Sequence, residues 1–137
     1  MAVAFEARMP GTPLGVRRLR GEMAGIAADC GMDADGVADV KLAVTEAATN
    51  AVMHGYAEAT GELTVTAAVE GGELEIVIGD SGTGMVERRD SPGLGVGLSV
   101  IATVAERLRI VSSPGGTRIH MTFRCPCDRP PRSRKRR

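Results

Sequence analysis

Apolar residues in this chain recur at three- and four-residue steps in three segments and at two-residue steps in four shorter ones. Val16, Leu19, Met23, Ile26 and Ala27 mark one face of a helix from about Leu14 to Cys30, with Arg17, Arg18, Arg20 and Glu22 elsewhere on it and Gly31 as its stop. Asp33 or Asp35 can cap a second helix, whose buried stripe is Val37, Val40, Val44, Ala47 and Ala51 and which runs to His54-Gly55. Leu63, Val65, Ala67 and Val69 then alternate with polar residues. After a turn at Glu70-Gly71-Gly72, Leu74, Ile76 and Ile78 do the same, which predicts an antiparallel hairpin with one buried face. Leu98, Ile101, Ala105 and Leu108 predict a third helix. Arg109 to Ser113 and Thr117 to Met121 predict a second hairpin around Pro114-Gly115-Gly116. The order ααββαββ predicts an α+β two-layer sandwich, a sheet with helices on one face.

With 137 residues, 43% of them hydrophobic, the chain is sized for one compact domain. It has no Trp, one Tyr and two Phe, so the core must be built from Val, Leu, Ile, Met and Ala, and stacking of nucleic-acid bases on aromatic rings is not supported. The formal net charge of zero conceals an asymmetry. Residues 129–137 hold six of the 17 basic residues and no acid, which leaves residues 1–128 at a net charge of −6. A domain over 1–124 followed by a disordered basic tail over 125–137 is the expected organisation. The first residues, Met-Ala-Val-Ala-Phe-Glu-Ala-Arg, lack the pattern of a signal peptide, and no apolar run approaches the ~20 residues that span a bilayer. A cytoplasmic location, no membrane contact and no direct nucleic-acid contact are expected. Cys30, Cys125 and Cys127 form an odd set without the ligands of a structural zinc, so free thiols in a reducing compartment are expected.

Three short stretches carry candidate chemistry. Glu46 and Asn50 lie one helical turn apart on the second helix, with His54 a further turn along. Asn is unfavourable inside a helix. Its place there is explained if its side-chain oxygen is a hard ligand for Mg²⁺, while Glu46, acceptor-only when ionised, can orient or deprotonate the group that attacks a γ-phosphate. Both also fit partly exposed polar positions of an ordinary helix. Asp80 ends a strand beside Ser81-Gly82-Thr83-Gly84, where its carboxylate can accept from the exocyclic amine of adenine, a contact guanine does not offer; Asp before Gly is also what a β-turn requires. Gly93, Gly95 and Gly97 open the third helix, where backbone amides bind phosphate, although such glycines also serve a plain loop. No Rossmann context, P-loop or His-Glu-x-x-His is present. His54 and His120 stand isolated and read as structural.

Together these stretches carry a resemblance. Lys41-Leu-Ala-Val-Thr-Glu-Ala-Ala-Thr-Asn-Ala-Val-Met-His-Gly-Tyr56 resembles the N box of the GHKL (Bergerat-fold) ATPases, in the form found in bacterial anti-sigma-factor serine kinases. Asp80-Ser-Gly-Thr-Gly-Met85 resembles the family's first glycine box, Gly93-Leu-Gly-Val-Gly-Leu98 its second, and Gly115-Gly-Thr-Arg-Ile119 its terminal Gly-Thr strand. The resemblance covers about residues 10–124. It implies the Bergerat sandwich, a mainly antiparallel mixed sheet with about three helices on one face. It also implies roles: Glu46 as catalytic base, Asn50 as Mg²⁺ ligand and Asp80 as the acid that reads adenine. Gly82, Gly84 and Met85 would shape the base pocket, and Gly93, Leu94, Gly95, Val96, Gly97 and Leu98 would hold the phosphates. Val86 to Pro92 would form a short lid, and Thr117 would support the adenine side.

The family's sensor histidine kinases, gyrases and chaperones need additional domains for which this length leaves no room. The resemblance therefore implies a cytoplasmic anti-sigma regulatory factor that uses ATP and Mg²⁺ to phosphorylate a Ser or Thr of an anti-anti-sigma (STAS-type) partner and that sequesters a sigma factor. A homodimer is a further family expectation. The alternative is a nucleotide-gated binding module without significant kinase activity. The charged segment Val86-Glu-Arg-Arg-Asp-Ser-Pro92 and the basic tail depart from the family pattern. Arg17, Arg18 and Arg20 are candidates for docking an acidic partner, and equally for a solvated helix face.

Overall fold

A computed structural model describes residues 2–55, 61–80, 94–113 and 116–126. The sequence elements are β1 (Ala2–Pro10), α1 (Pro13–Asp29), α2 (Ala34–Gly55), β2 (Glu62–Glu70), β3 (Glu73–Asp80), α3 (Leu94–Val104), β4 (Arg107–Ser113) and β5 (Gly116–Arg124). The strands form one sheet in the order β1-β2-β3-β5-β4, and all four pairings are antiparallel. The expected mainly antiparallel sheet is thus wholly antiparallel among the described residues. The three helices pack on one face, and the α+β sandwich expected from the periodicities is what forms.

The first strand departs from the expected ααββαββ order. Residues Phe5, Ala7 and Met9 point inward and Glu6, Arg8 and Pro10 outward, a two-residue period short enough to be masked by the small residues Ala2 to Ala4. A register irregularity between Val3 and Phe5 buries both Ala4 and Phe5, which blurs the alternation further. The strand pairs with β2, with Phe5 opposite Ala67 and Met9 opposite Leu63.

Thr12 caps α1, its Oγ1 accepting from Gly15 N at 3.1 Å, and Pro13 occupies the first turn, where a missing N–H costs nothing. The helix ends as expected at Gly31, which takes φ 89°. Asp33 is the cap of α2, accepting from Gly36 N at 2.8 Å. Helix α2 is the central helix, so its buried face is wider than a single stripe: Ala43 and Ala48 join Val40, Val44, Ala47 and Ala51. The alanines let its backbone approach both α1 and the sheet. Inward-facing Leu63, Val65, Leu74, Ile76, Ile78, Ile119 and Met121 complete the core from below. Each such large side chain contributes about 1.5–3 kcal/mol when fully buried.

Gly71 and Gly72, at φ 59° and 78°, make the tight turn between β2 and β3 that the sequence predicts. Two boundaries move. Helix α3 stops at Val104 and Leu108 belongs to β4, because Leu108 continues an apolar spacing that a helix and an inward strand position share. The last hairpin is longer than expected, beginning at Arg107 and ending at Arg124, and Cys125 beyond it is buried. On the outer surface Arg107 donates to Glu73 at 2.7 Å, and that hydrogen bond holds the Glu73 carboxyl below its ordinary pKa. A carboxyl lowered in this way favours the fold at neutral pH, and the contribution disappears as pH falls through the lowered value.

Gly15 locks β1 to α1. A Cβ at this position would land on the carbonyl oxygen of Pro10, with the Pro10 carbonyl carbon 3.1 Å away. Backbone cannot swing aside as a side chain can, so Gly15→Ala is expected to lower stability by about 3 kcal/mol. Urea unfolding measures this as a reduced midpoint. An unchanged midpoint would show that the contact yields without cost.

Candidate nucleotide site

The core has one polar end. Among the described residues only four polar or charged side chains are buried, and three of them, Asn50 (4% exposed), Asp80 (7%) and Thr117 (1%), are residues singled out from the sequence. Asp80 continues the inward alternation of Leu74, Ile76 and Ile78 along β3, and Thr117 continues that of Phe123, Met121 and Ile119 along β5. The register pairs Gly79 with Arg118 and Leu63 with Asp80, so Asp80 and Thr117 stand at the same end of adjacent central strands, facing the helices.

Helix α2 brings Glu46 and Asn50 to that end. Its first residues, Gly36 and Asp39, lie beside Phe123 and Arg124 at the opposite end of β5, and its 22 residues span roughly 33 Å, about the length of the sheet. Its C-terminal half therefore lies over the Asp80 and Thr117 end. Glu46 is half-buried and Asn50 follows one turn later. The Asn50 Nδ2 is buried without a hydrogen-bond partner among the described residues, a state that costs about 1–3 kcal/mol unless a ligand or water satisfies it.

An orphaned amide at this position fits the expected Mg²⁺ and phosphate chemistry. As placed, Nδ2 can donate to a phosphate oxygen or a water, and a half-turn of the isosteric amide presents Oδ1 as a hard oxygen donor instead. One protein oxygen with the remaining positions left to phosphate and water is the usual provision for Mg²⁺.

The chain leaves the sheet at Asp80, and the next described element is α3. Leu94, Gly95, Val96 and Gly97 form the first turn of α3, whose leading amides have no intrahelical partners and favour an anion. Leu98, next along, is half-buried. Gly82, Gly84 and Met85, the segment Val86 to Pro92 expected to form a lid, and Gly93 lie outside the described residues, as does the side chain of His54. His120 is away from the site. It lies on the outer face of the sheet, with Nδ1 3.6 Å from Glu75 Oε2.

Two residues of this end were not anticipated. Ser112 on β4 is paired with Thr117, and their hydroxyls share a hydrogen bond of 3.1 Å. Its signal was its place two residues beyond Ile110 on the inward alternation of β4. Gly79 is the other: a Cβ there would meet Thr64 Oγ1 at 2.8 Å and Thr117 O at 3.4 Å, so the strand end that carries Asp80 is closely held.

The sequence profile of the histidine kinase-like ATPase domain matches residues 9–123. An anti-sigma F factor of Thermoanaerobacter sp. (strain X514) is 34% identical over 98 residues, 63% of this chain and 68% of that protein. A serine-protein kinase RsbW of Bacillus licheniformis is 33% identical over 129 residues, 82% of this chain and 81% of that protein. Among solved structures, the RsbU and RsbW domains of a Mycobacterium tuberculosis protein superpose with a TM-score of 0.67 and 27% identity, over 95% of this chain; the chain spans only 33% of that longer one. A histidine kinase domain of an Erythrobacter litoralis blue-light activated histidine kinase shares the fold, with a TM-score of 0.58, 20% identity and coverage of 85% of this chain and 61% of that one.

Proposed function

This chain belongs to the histidine kinase-like ATPase domain family, and on that premise we propose that it is an ATP-binding anti-sigma regulatory factor with serine/threonine kinase activity. Its substrate would be a Ser or Thr hydroxyl of an anti-anti-sigma (STAS-type) protein, and its second partner a sigma factor. The observation that carries the site is the buried, unsatisfied Asn50 amide one turn from Glu46, on the half of α2 that covers the Asp80 end of the sheet.

The roles proposed are those the sequence motifs imply. Asp80 would accept from the exocyclic amine of adenine, with Thr117 and its partner Ser112 beside it. Gly82, Gly84 and Met85 would border the base, and Gly93, Leu94, Gly95, Val96, Gly97 and Leu98 would bring backbone amides to the phosphates. Asn50 would hold Mg²⁺, which when bound neutralises charge on the phosphate oxygens. Glu46 would take the proton from the acceptor hydroxyl as its oxygen bonds to the γ-phosphorus, while the bond from that phosphorus to the β–γ bridging oxygen breaks and ADP leaves.

A cytoplasmic location, where a sigma factor acts, belongs to this proposal; among the described residues no helix is long and apolar enough to cross a membrane. Arg17, Arg18 and Arg20 are all exposed on α1 and offer a basic face to an acidic partner. A homodimer has a self-complementary face available. On the outer side of the sheet β1 to β3 carry Glu6, Glu62, Glu70, Glu73 and Glu75 against Arg8, whereas β5 and β4 carry Arg107, Arg109, Arg118, His120 and Arg124. A two-fold axis along the strands lays the acidic half of one copy over the basic half of the other.

The deciding experiment is incubation of the protein with Mg²⁺, γ-labelled ATP and a purified STAS-domain protein encoded nearby. Label on a Ser or Thr of that protein is expected. ATP binding without any transfer would replace the kinase with the nucleotide-gated binding module. Sedimentation of the same sample reads the dimer, and a monomer at all concentrations would remove it.

A further inference from the structure

We propose that the basic C-terminal segment of this chain, Arg129 to Arg137, docks on an acidic groove at the end of the fold opposite the nucleotide site. The groove encloses about 320 Å³ between the α1–α2 connection, the end of α3 and the end of β5. Met32, Val104 and Phe123 supply an apolar floor, and Asp33, Asp39 and Glu106 supply the charge. Asp29, the last residue of α1, and Asp35, in the first turn of α2, are exposed on either side of that connection. Among the described residues Arg124 is the one base in the lining, and its guanidinium is engaged with Glu106 at 3.1 Å. Among the described residues neither Asp33 nor Asp39 has an ion pair.

Helix ends add to the negative potential. Two helices, α1 and α3, present their carbonyl ends here, and neither has a basic residue in its last turn. Cations within a turn of such an end are favourable, and helices usually supply their own. The α2 N-terminus at the same place is offset by its cap Asp33 and by Asp35 in its first turn.

The path of the chain points the segment at this groove. Cys125 is pinned twice, its N–H donating to Gly72 O at 2.7 Å and its Sγ to Cys30 O at 3.2 Å, and Pro126 then forms part of the groove wall. Arg129 is three residues further on, within about 10 Å even for an extended chain. From there Arg132, Arg134, Lys135, Arg136 and Arg137 follow with no intervening acid. A segment tethered this closely has an effective concentration of about millimolar, so weak ion pairs suffice to hold it. The apolar floor accepts the methylene stems of arginine while the heads reach the carboxylates. On the outer face of the sheet Glu6 and Glu62 lie away from the root of the segment, and of the acids near the Gly71-Gly72 turn Glu73 is already engaged by Arg107.

The test uses the full chain with Cys127→Ser and Ser133→Cys, which retains all six bases, and a nitroxide on residue 133. The label should broaden the amide signals of Gly36, Asp39 and Glu106 at low salt, and the effect should vanish at about 0.5 M salt, where screening is nearly complete. Asp39→Lys with Glu106→Lys should cut the broadening at Gly36 about threefold or more. Three results would overturn the proposal: broadening at Glu6 and Glu62 as strong as in the groove, insensitivity to salt, or equal broadening when the labelled chain is mixed with an isotope-labelled chain lacking nitroxide, which would assign the groove to a second copy's tail. The amide pattern of β3 and β5 reports whether the charge-reversed variant is folded, and if it is not, the salt titration of the parent decides.

Discussion

Glu46→Gln is expected to leave ATP bound and to slow phosphotransfer by about 10²–10⁴-fold. Gln matches Glu in size and still hydrogen-bonds, so the half-buried position one turn before Asn50 is refilled without a cavity. What it lacks is a lone pair basic enough to take the acceptor proton. The loss should therefore fall on kcat, with KM for ATP nearly unchanged. Single-turnover transfer from labelled ATP separates the two. Transfer within a few-fold of the parent would mean that Glu46 is no base and that the acceptor protein brings its own.

Asp80→Asn has the second largest expected effect, on affinity and selectivity together. A hydrogen bond to a charged buried acceptor contributes about 1.5–3 kcal/mol, which corresponds to a loss of roughly 10–150-fold in ATP affinity. The carboxylate only accepts, so it rewards the amine of adenine and repels the carbonyl of guanine. Asn carries a donor as well, so GTP should gain on ATP and the preference should collapse. Equilibrium binding of both nucleotides with Mg²⁺ to parent and variant measures this. A parent that binds ATP and GTP equally would take base recognition away from Asp80. Asn is close to isosteric with Asp, so unfolding is not the expected cause of a loss.

How much of this was legible in the sequence depends on whether a residue's pattern was local. The helix faces, Gly31 as a stop and the Gly71-Gly72 turn are local signals, and they emerged where expected. Asn50 was legible for a physical reason: a buried amide inside a helix is unfavourable unless something outside the helix satisfies it. β1 was hidden because its inward residues, Phe5 and Met9, acquire meaning only through pairing with Ala67 and Leu63, about sixty residues away. Leu108 was misassigned to α3 because one apolar residue fits both periods. Ser112 had only a weak local signal, its place on the inward alternation of β4, and its partnership with Thr117 is set by the exact register of the hairpin. The common end of Asp80 and Thr117 likewise depends on β5 lying beside β3, a long-range register that no periodicity announces.

Among the described residues the last strand in sequence, β5, is not an edge strand. It lies between β3 and β4, and its first residues stand beside Asp80. During synthesis the ribosome therefore releases β1 to β4 before the strand that joins β4 to the rest of the sheet. A nascent chain that has α2 with Glu46 and Asn50 already folded still lacks Thr117 beside Asp80 and has no seat for β4. Nucleotide binding should appear in a single step, only when the final strand emerges. For the same reason, a stop codon anywhere before Arg124 should yield a chain that neither binds ATP nor escapes degradation, however much of its helical layer has been made.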